Sequence, residues 1–220
     1  MSRLPRTLPL AFYAAATGLA EPLAPALLRR RARAGKEDAA RIGERLGRAN
    51  VPRPAGPLVW LHGVSVGESV SLLPLIAAIG AQRPDLAILV TSGTVTSAAV
   101  LAQRLPPGVI HQFAPVDSPA ATARFLDHWK PGAALFVESE LWPNLIVAAS
   151  RRDVRLALLS ARMTKASADG WGRVPGTARA LLQAFDLVLP QDDATAERLT
   201  RLGAQLHGRL NLKLLGDAPP

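Results

Sequence analysis

The chain has 220 residues, of which 49% are hydrophobic and 20% are charged, and its formal net charge at pH 7 is +9. A chain of this length buries a core in one or at most two domains, and its composition excludes both a disordered polyelectrolyte and a polytopic membrane protein. Because there is no cysteine and the four histidines are scattered, disulfides, a cysteine nucleophile and a zinc site are all disfavoured. The excess of basic over acidic residues predicts an anionic partner: nucleic acid, anionic lipid or a phosphorylated substrate.

The amino-terminal segment, residues 1–34, joins an apolar stretch to a basic cluster. The apolar stretch runs from Leu8 to Leu28, but Glu21, Pro22 and Pro25 interrupt it before it reaches the roughly 20 residues of a spanning helix. The cluster that follows consists of Arg29, Arg30, Arg31, Arg33 and Lys36. Such a cluster holds a segment at the cytoplasmic face and attracts anionic lipid, so we expect a membrane-associated anchor helix. A cleaved signal peptide and a buried helix are the alternatives.

Residues 35–57 are predicted to form a charged helix and a linker. Between Glu37 and Arg48, Ile42 and Leu46 lie four residues apart on one helical stripe, and Gly47 stands near the end. Residues 50–57 contain too much proline for a helix or a strand. This region therefore connects the amino-terminal segment to the remainder of the chain.

From residue 58 to residue 213, patterns of strand and helix alternate. The predicted strands are 58–61, 87–91, 109–113, 133–138, 156–160 and 187–190. The predicted helices are 68–81, 95–104, 120–128, 143–151, 176–184 and 193–202. Wholly apolar strands such as 87–90 are typical of a parallel sheet covered on both faces. The alternation predicts an α/β fold with a single Rossmann-like, doubly wound parallel sheet, followed by a short tail at 214–220.

The first candidate site follows the first predicted strand. In a doubly wound sheet, ligands bind at the loops after the strands, and this loop carries His62, Ser65, Gly67 and Glu68. Glu68 is the one carboxylate here, at the point where the turn becomes a helix. Its position fits a site residue, and it equally fits a helix-start residue that the helix dipole favours.

The loop after the second strand, residues 91–97, is rich in Thr, Ser and Gly. Thr94 stands just before a helix, where backbone N–H groups and hydroxyls hold a phosphate or a sugar. Ordinary helix capping by Thr94 or Thr96 explains the same residues. The loop is not a P-loop, and no Gly-x-Gly-x-x-Gly follows any strand, which disfavours a simple nicotinamide or flavin enzyme.

A pair of carboxylates ends the predicted strand at 133–138. Alternation in an extended segment points Glu138 and Glu140 to one side, beside Trp142. Two like charges near an aromatic ring are typical of acid–base sites. The structural alternative is that one carboxylate pairs with a cation, for which Arg162 is the candidate.

Several motifs, in order along the chain, carry a resemblance to a known family. They are Val64-Ser65-Val66-Gly67-Glu68, Val137-Glu138-Ser139-Glu140-Leu141-Trp142-Pro143-Asn144, Ser160-Ala161-Arg162-Met163 and Asn211-Leu212-Lys213. Upstream, Gly35-Lys36-Glu37 and Glu44-Arg45-Leu46-Gly47 fit the same pattern. Together they resemble the 3-deoxy-D-manno-octulosonate (Kdo) transferases, which add Kdo to the lipid A precursor in lipopolysaccharide biosynthesis.

The resemblance implies the amino-terminal, acceptor-binding half of an inverting GT-B glycosyltransferase of a Gram-negative inner membrane, at its cytoplasmic face. It assigns Glu68 as the proton acceptor and Glu138 and Lys213 as transition-state stabilisers. Substrate-binding roles are expected for Ser65, Gly67, Thr94, Glu140, Trp142, Asn144 and Arg162. The implied partners are CMP-Kdo, lipid IVA and the anionic membrane surface; no nucleic acid, metal or cofactor is implied.

Three departures from the family pattern accompany the resemblance: Ser160 stands where the family usually has Asn, Gly63 where Ala or Ser is commoner, and Leu210 where it usually has Gly. The carboxyl-terminal donor domain that the family places after residue 220 is expected to be absent from this chain. The alternative function is therefore a non-catalytic half-domain that binds lipid and membrane without a donor site. An unrelated nucleotide-binding α/β domain is a second alternative.

Overall fold

The sheet predicted from the sequence is confirmed in a computed structural model, which describes residues 7–138 and 141–214. Within these residues one sheet has six parallel strands in the order β3-β2-β1-β4-β5-β6. The strands are β1 (Leu58–His62), β2 (Ala87–Ser92), β3 (Ile110–Phe113), β4 (Ala133–Val137), β5 (Arg155–Ala161) and β6 (Leu187–Pro190). This is the order of a Rossmann-like, doubly wound sheet.

Side chains alternate along each strand and therefore lie on both faces of the sheet, and both faces are buried. Trp60 and Phe136 point to one face, where they pack with Phe125 and Trp129 of the helix that precedes β4. Leu61 and Val137 belong to the opposite core, together with Leu72, Ile76 and Leu101. The wholly apolar strands of the sequence follow from this double covering.

The described part of the chain contains eleven α-helices. They are α1 (Leu8–Ala20), α2 (Ala24–Arg33), α3 (Ile42–Arg45), α4 (Val66–Ser71), α5 (Leu73–Gln82), α6 (Val95–Arg104), α7 (Pro119–Trp129), α8 (Pro143–Ser150), α9 (Lys165–Gly172), α10 (Pro175–Leu182) and α11 (Asp193–Arg201). Those from α6 to α8, α10 and α11 agree with the predicted helices to within two residues. Helix α9 was not expected from the sequence.

Two helix predictions were wrong in extent. The single helix expected over 68–81 is broken at Leu72, because Pro74 near the start of α5 lacks the N–H that would continue the hydrogen-bond ladder. The charged helix expected from Glu37 to Arg48 is reduced to a 3₁₀ turn at Ala39–Arg41 and the four residues of α3. Glu37 is instead buried in ion pairs with Arg31 and Arg45.

The amino-terminal segment forms two helices, α1 and α2, joined by a 3₁₀ turn at Glu21–Leu23. Helix α1 lies against α7 and α8 and has no buried residue, whereas Leu28 of α2 is buried. No helix in the described ranges is long and apolar enough to cross a membrane. The segment is therefore a pair of helices packed on the outside of the domain.

Candidate functional site at the carboxyl ends of β1 and β4

The order of the strands creates a crevice between β1 and β4. His62 at the end of β1 is in register with Phe136 near the end of β4. Strands β2 and β3 lie on the other side of β1, and strands β5 and β6 lie on the other side of β4. The loops after β1 and β4 diverge at such a switch point, which is where doubly wound sheets bind ligands. Glu138 directly follows β4, and Glu68 lies in the first turn of α4, just after the β1 loop.

Glu68 is the third residue of α4, and local hydrogen bonds hold its carboxylate in place. Oε2 accepts from the backbone N–H of Val64 at 2.7 Å, and Oε1 accepts from the Ser65 hydroxyl at 2.8 Å. Ser65 caps the helix by accepting from the Glu68 N–H at 3.3 Å. Each carboxylate oxygen keeps a second lone pair, so the helix-start role and a site role are compatible.

The surface beside Glu68 leaves room for a ligand. Ser65 and Gly67 are exposed, and a Cβ at Gly67 would meet no atom within 4 Å. On the other side, a Cβ at Gly63 would lie 3.1 Å from the Glu68 Cβ. Glu68 itself is 8% exposed, so the fold restrains its side chain while Ser65 and Gly67 beside it are open to solvent.

Glu138 and Lys213 meet although 75 positions separate them. The Lys213 Nζ lies 2.5 Å from Oε1 of Glu138, whose side chain is 8% exposed. Glu138 has φ of 64°, in the left-handed region that a residue with a side chain seldom adopts. Outliers of this kind cluster at functional sites, where the surrounding structure holds them.

The loop that carries Lys213 is fixed by β5. Ser160, with φ of 50°, accepts a hydrogen bond from the Leu212 N–H at 3.3 Å. The Leu212 side chain is buried in the core on the same side as Leu159. Arg162 donates its backbone N–H to the Glu138 carbonyl at 3.3 Å. Within the described residues, the cation that pairs with Glu138 is thus Lys213 and not Arg162, whose side chain is exposed.

Thr94 acts as a helix cap. Its hydroxyl accepts from the Ser97 N–H at 3.0 Å, and the Ser97 hydroxyl accepts from the Thr94 N–H at 3.2 Å. The same loop is attached to the β1 loop, because the Gly93 N–H donates to the Val64 carbonyl at 3.1 Å. The capping interpretation is confirmed, and a ligand role for Thr94 stays a prediction.

Asn144 connects the site to the amino-terminal helix. Its Nδ2 donates to the Thr17 hydroxyl at 2.9 Å and to the Asp117 carbonyl at 2.7 Å. The Asp117 carboxylate caps α8 by accepting from the N–H groups of Asn144 and Leu145. In this chain Asn144 is occupied by structural contacts. Glu140, the other carboxylate of the predicted pair, lies outside the described residues.

His62, which the sequence placed in the first candidate loop without assigning it a role, is buried at the end of β1. Burial, with a smaller contribution from the charge of Arg45, lowers its pKa to about 4. The Thr91 hydroxyl oxygen lies 2.8 Å from both the His62 Nδ1 and the Trp60 Nε1. His62, Arg45 and Trp142 border a cavity of about 230 Å³ at the sheet edge. Its position in the β1 loop was the only sequence signal, because a single buried histidine resembles a core residue.

The fold and the crevice define an α/β domain that presents carboxylates and a lysine at a topological switch point, the arrangement of a Rossmann-type transferase domain. A family model described as "3-Deoxy-D-manno-octulosonic-acid transferase (kdotransferase)" matches residues 40–215. The chain belongs to this Kdo transferase family, a family of glycosyltransferases, and it corresponds to the amino-terminal half.

Curated relatives agree with this assignment. A probable mitochondrial 3-deoxy-D-manno-octulosonic acid transferase of Arabidopsis thaliana is 43% identical over 81% of this chain and 40% of its own length. The 3-deoxy-D-manno-octulosonic acid transferase of Rickettsia bellii is 35% identical over 84% of this chain and 44% of its own length. The Bordetella pertussis protein of the same name is 36% identical, over 81% and 43%. The chain therefore spans about two fifths of the length of these relatives.

Proposed function

We propose that this domain binds lipid IVA and supplies the general base for the transfer of Kdo from CMP-Kdo. The observation that carries the proposal is the placement of Glu68 and of the Glu138–Lys213 pair at the ends of neighbouring strands in a Kdo transferase family member. The net positive charge of the chain suits a phosphorylated lipid as acceptor.

In the proposed reaction, Glu68 takes the proton of an acceptor sugar hydroxyl, which is a poor nucleophile until a base removes that proton. The hydroxyl oxygen bonds to the anomeric carbon of Kdo as the bond from that carbon to the CMP phosphate oxygen breaks, and CMP leaves. The hydrogen bonds from Val64 and Ser65 orient the carboxylate for this step. Inversion follows because attack and departure take place on opposite faces of the carbon.

Glu138 and Lys213 are proposed to stabilise the transition state. The donor carbon becomes positively charged as CMP leaves, and a fixed carboxylate such as Glu138 stabilises this charge. Lys213 is half exposed, so its ammonium group has room to move toward the negative charge that grows on the leaving phosphate. In this proposal CMP-Kdo is bound by a second domain, equivalent to the part of the relatives that this chain does not match.

The surface of α1 and α2 supports a place at the cytoplasmic face of the inner membrane. Leu8, Phe12, Leu19, Leu23 and Leu27 are exposed by 56–87% and recur at helical spacing. The basic residues at the end of α2 and just after it are exposed as well. An apolar stripe next to a basic cluster is typical of helices that lie in the interface of an anionic bilayer.

The test is transfer of Kdo from CMP-Kdo to lipid IVA by a chimera, in which residues 40–214 replace the matching segment of the Bordetella pertussis relative. We expect the chimera to be active and the 220-residue chain alone to be inactive. The alternative, a non-catalytic half-domain that binds lipid and membrane, predicts a folded but inactive chimera. Transfer by the chain alone would contradict the assignment of donor binding to a second domain.

A further inference from the structure

We infer that the domain holds one acyl chain of its lipid acceptor in a pocket under α1, an inference that rests on the proposed function. The pocket, called here the aromatic pocket, has a volume of about 360 Å³ and lies between α1, the start of α8 and the α9–α10 region. Its walls include Leu10, Tyr13, Trp142, Trp171, Val174 and Thr177. Its size is within the range of ligand-binding pockets in proteins.

The chemistry of the pocket favours an apolar occupant. The side-chain hydroxyls in its wall already have partners, because Tyr13 is hydrogen-bonded to Asp117 and the Thr177 hydroxyl lies 2.9 Å from that of Thr7. Most of the remaining wall is aliphatic or indole surface. A sugar or a phosphate placed here would lose its hydration without full replacement, whereas a hydrocarbon chain would gain buried apolar contact.

The position of the pocket indicates where the chain comes from. One wall is formed by Leu10 and Tyr13 of α1, and the same helix exposes Leu8 and Phe12 by 87% and 77%. The pocket is therefore walled by the same helix that the proposed function places in the bilayer interface. The exposed arginines of α2, a short distance along the chain, provide the charge that attracts an anionic lipid.

The far side of the pocket leads to the site. Trp142 forms part of both the aromatic pocket and the smaller cavity that His62 and Asp117 border at the carboxyl ends of the strands. An acyl chain packed against one side of Trp142 thus brings the attached head group toward the sheet edge where Glu68 and Glu138 lie. The pocket acts as a positioning site for the acceptor.

The experiment uses the intrinsic fluorescence of the chain. Its four tryptophans fall into two pairs: Trp60 and Trp129 are fully buried, whereas Trp142 and Trp171 line the pocket. A monomeric brominated chain, 12-bromododecanoic acid below its micelle concentration, quenches an indole that it touches. We expect saturable quenching, which disappears in the double variant Trp142→Phe/Trp171→Phe. If the double variant, which keeps only Trp60 and Trp129, were quenched by the same fraction as the unchanged chain, the inference would be overturned.

Matched variants test the pocket itself. Val174→Phe fills the pocket, and we expect it to weaken the quenching at least tenfold, whereas Val51→Phe on the exposed linker leaves the quenching unchanged. Leu10→Lys, which places a charge in the wall from α1, serves the same purpose if Val174→Phe does not fold, as judged by circular dichroism. Equal quenching in the pocket variants and in Val51→Phe would overturn the inference.

The outcome is separable from that of the proposed function, because this binding requires neither a donor nor transfer. If the chimera transfers Kdo to lipid IVA but the chain shows no pocket-dependent quenching, the acyl-chain site is wrong and the proposed function stands. If quenching depends on the pocket but the chimera is inactive, the chain has an acyl-binding site and the transfer proposal is wrong. If a second copy of the chain occupied the pocket instead, sedimentation velocity would show a dimer with and without the brominated fatty acid. That result would overturn the inference.

Discussion

The Lys213 Nζ and the Glu138 Oε1 lie 2.5 Å apart at the carboxyl edge of the sheet, in contact across 75 positions of sequence. The lysine side chain is 49% exposed and the glutamate 8% exposed. Water screens the lysine, but the glutamate is buried, so without Lys213 its carboxylate would stay buried with no opposite charge beside it. The contact is therefore expected to matter both for the fold and for the site.

This expectation gives a first prediction, for Lys213→Met. The free energy of unfolding should fall by about 1–3 kcal/mol, because the buried Glu138 carboxylate loses its charged partner. Kdo transfer by the chimera should fall by about 10²–10³-fold, the usual loss when one charged stabiliser of a transition state is removed. Lys165→Met, which removes the surface pair with Asp169, is the control and should leave transfer unchanged. Normal transfer by the Lys213 variant would contradict the assigned role.

A second prediction separates the two interpretations of Glu68. In Glu68→Gln the side chain keeps its shape but no longer accepts a proton, and transfer by the chimera should fall about 10²–10⁴-fold. The control is Asp192→Asn, which alters a carboxylate that caps α11 by accepting from the Thr195 N–H at 2.7 Å. Both variants should lose up to about 1 kcal/mol of stability, because each weakens hydrogen bonds at the start of a helix. If both also keep full activity, Glu68 is only a helix-start residue and not the base.

A third prediction concerns the apolar stripe of α1. Phe12 is 77% exposed, and Phe12→Glu should reduce sedimentation with anionic vesicles at least tenfold, because burial of a phenyl group in the bilayer contributes about 1.5–3 kcal/mol. Val51→Glu, a substitution at an exposed linker residue, should bind as the unchanged chain does. High salt should weaken binding of all three proteins through the basic cluster. Equal binding by Phe12→Glu would place the membrane contact elsewhere.

A fourth prediction is that acid destabilises the domain. Burial is the main cause that lowers the pKa of His62 and of His111 to about 4, from 6.5 in the unfolded chain. The unfolded state therefore binds more protons between pH 6.5 and 4, so stability is fully present above pH 6.5 and falls as the pH decreases to 4. The loss should reach about 3 kcal/mol for each histidine.

Urea unfolding at pH 7 and at pH 4.5 measures this effect. His111 lies with Nε2 2.9 Å from the Ser92 hydroxyl and Nδ1 3.2 Å from an Arg41 nitrogen. His111→Gln removes one of the two imidazoles whose pKa is lowered, and the difference in stability between the two pH values should shrink by about half. An unchanged difference would show that His111 is not a source of the acid sensitivity.

A fifth prediction compares two glycines that share a backbone conformation. Gly47 has φ of +79°, and a Cβ there would lie 2.0 Å from the Ala121 carbonyl oxygen; Gly35 has φ of +70° with no atom within 4 Å. Gly35→Ala should cost about 1 kcal/mol from the left-handed backbone alone. Gly47→Ala should cost at least about 3 kcal/mol, because α7 must also move away. If the two variants had the same urea midpoint, α7 would accommodate the added methyl group at Gly47 without loss of stability.

Much of the fold was predictable because the local sequence specifies it. Strands β2 and β6 are apolar runs bounded by turn residues, and their predicted limits hold to within one residue. The break of the expected helix at Leu72 depends on Pro74, a local signal that the apolar spacing obscured. Helix α9 was missed because only Ala168 among its residues is buried, so it lacks the apolar stripe by which helices are recognised.

The site was predictable in part. The loops after the strands were identified correctly, since their position follows from the fold class. The cation that pairs with Glu138 was not, because Arg162 is near in sequence whereas Lys213 arrives from the end of the domain through the burial of Leu212. The contact between Asn144 and Thr17 was equally hidden, because nothing local in either residue requires the other.

The sequence by itself determined the α/β class, the two-sided burial of the strands, the family motifs and the apolar and basic character of the amino-terminal segment. These properties depend on residue type and on spacing along one element. Only the tertiary structure decided that Lys213 pairs with Glu138, that His62 is buried and neutral, and that α1 and two tryptophans enclose a pocket. The physical reason is that such contacts are made by the packing of distant segments, and no local pattern encodes which partner a side chain meets.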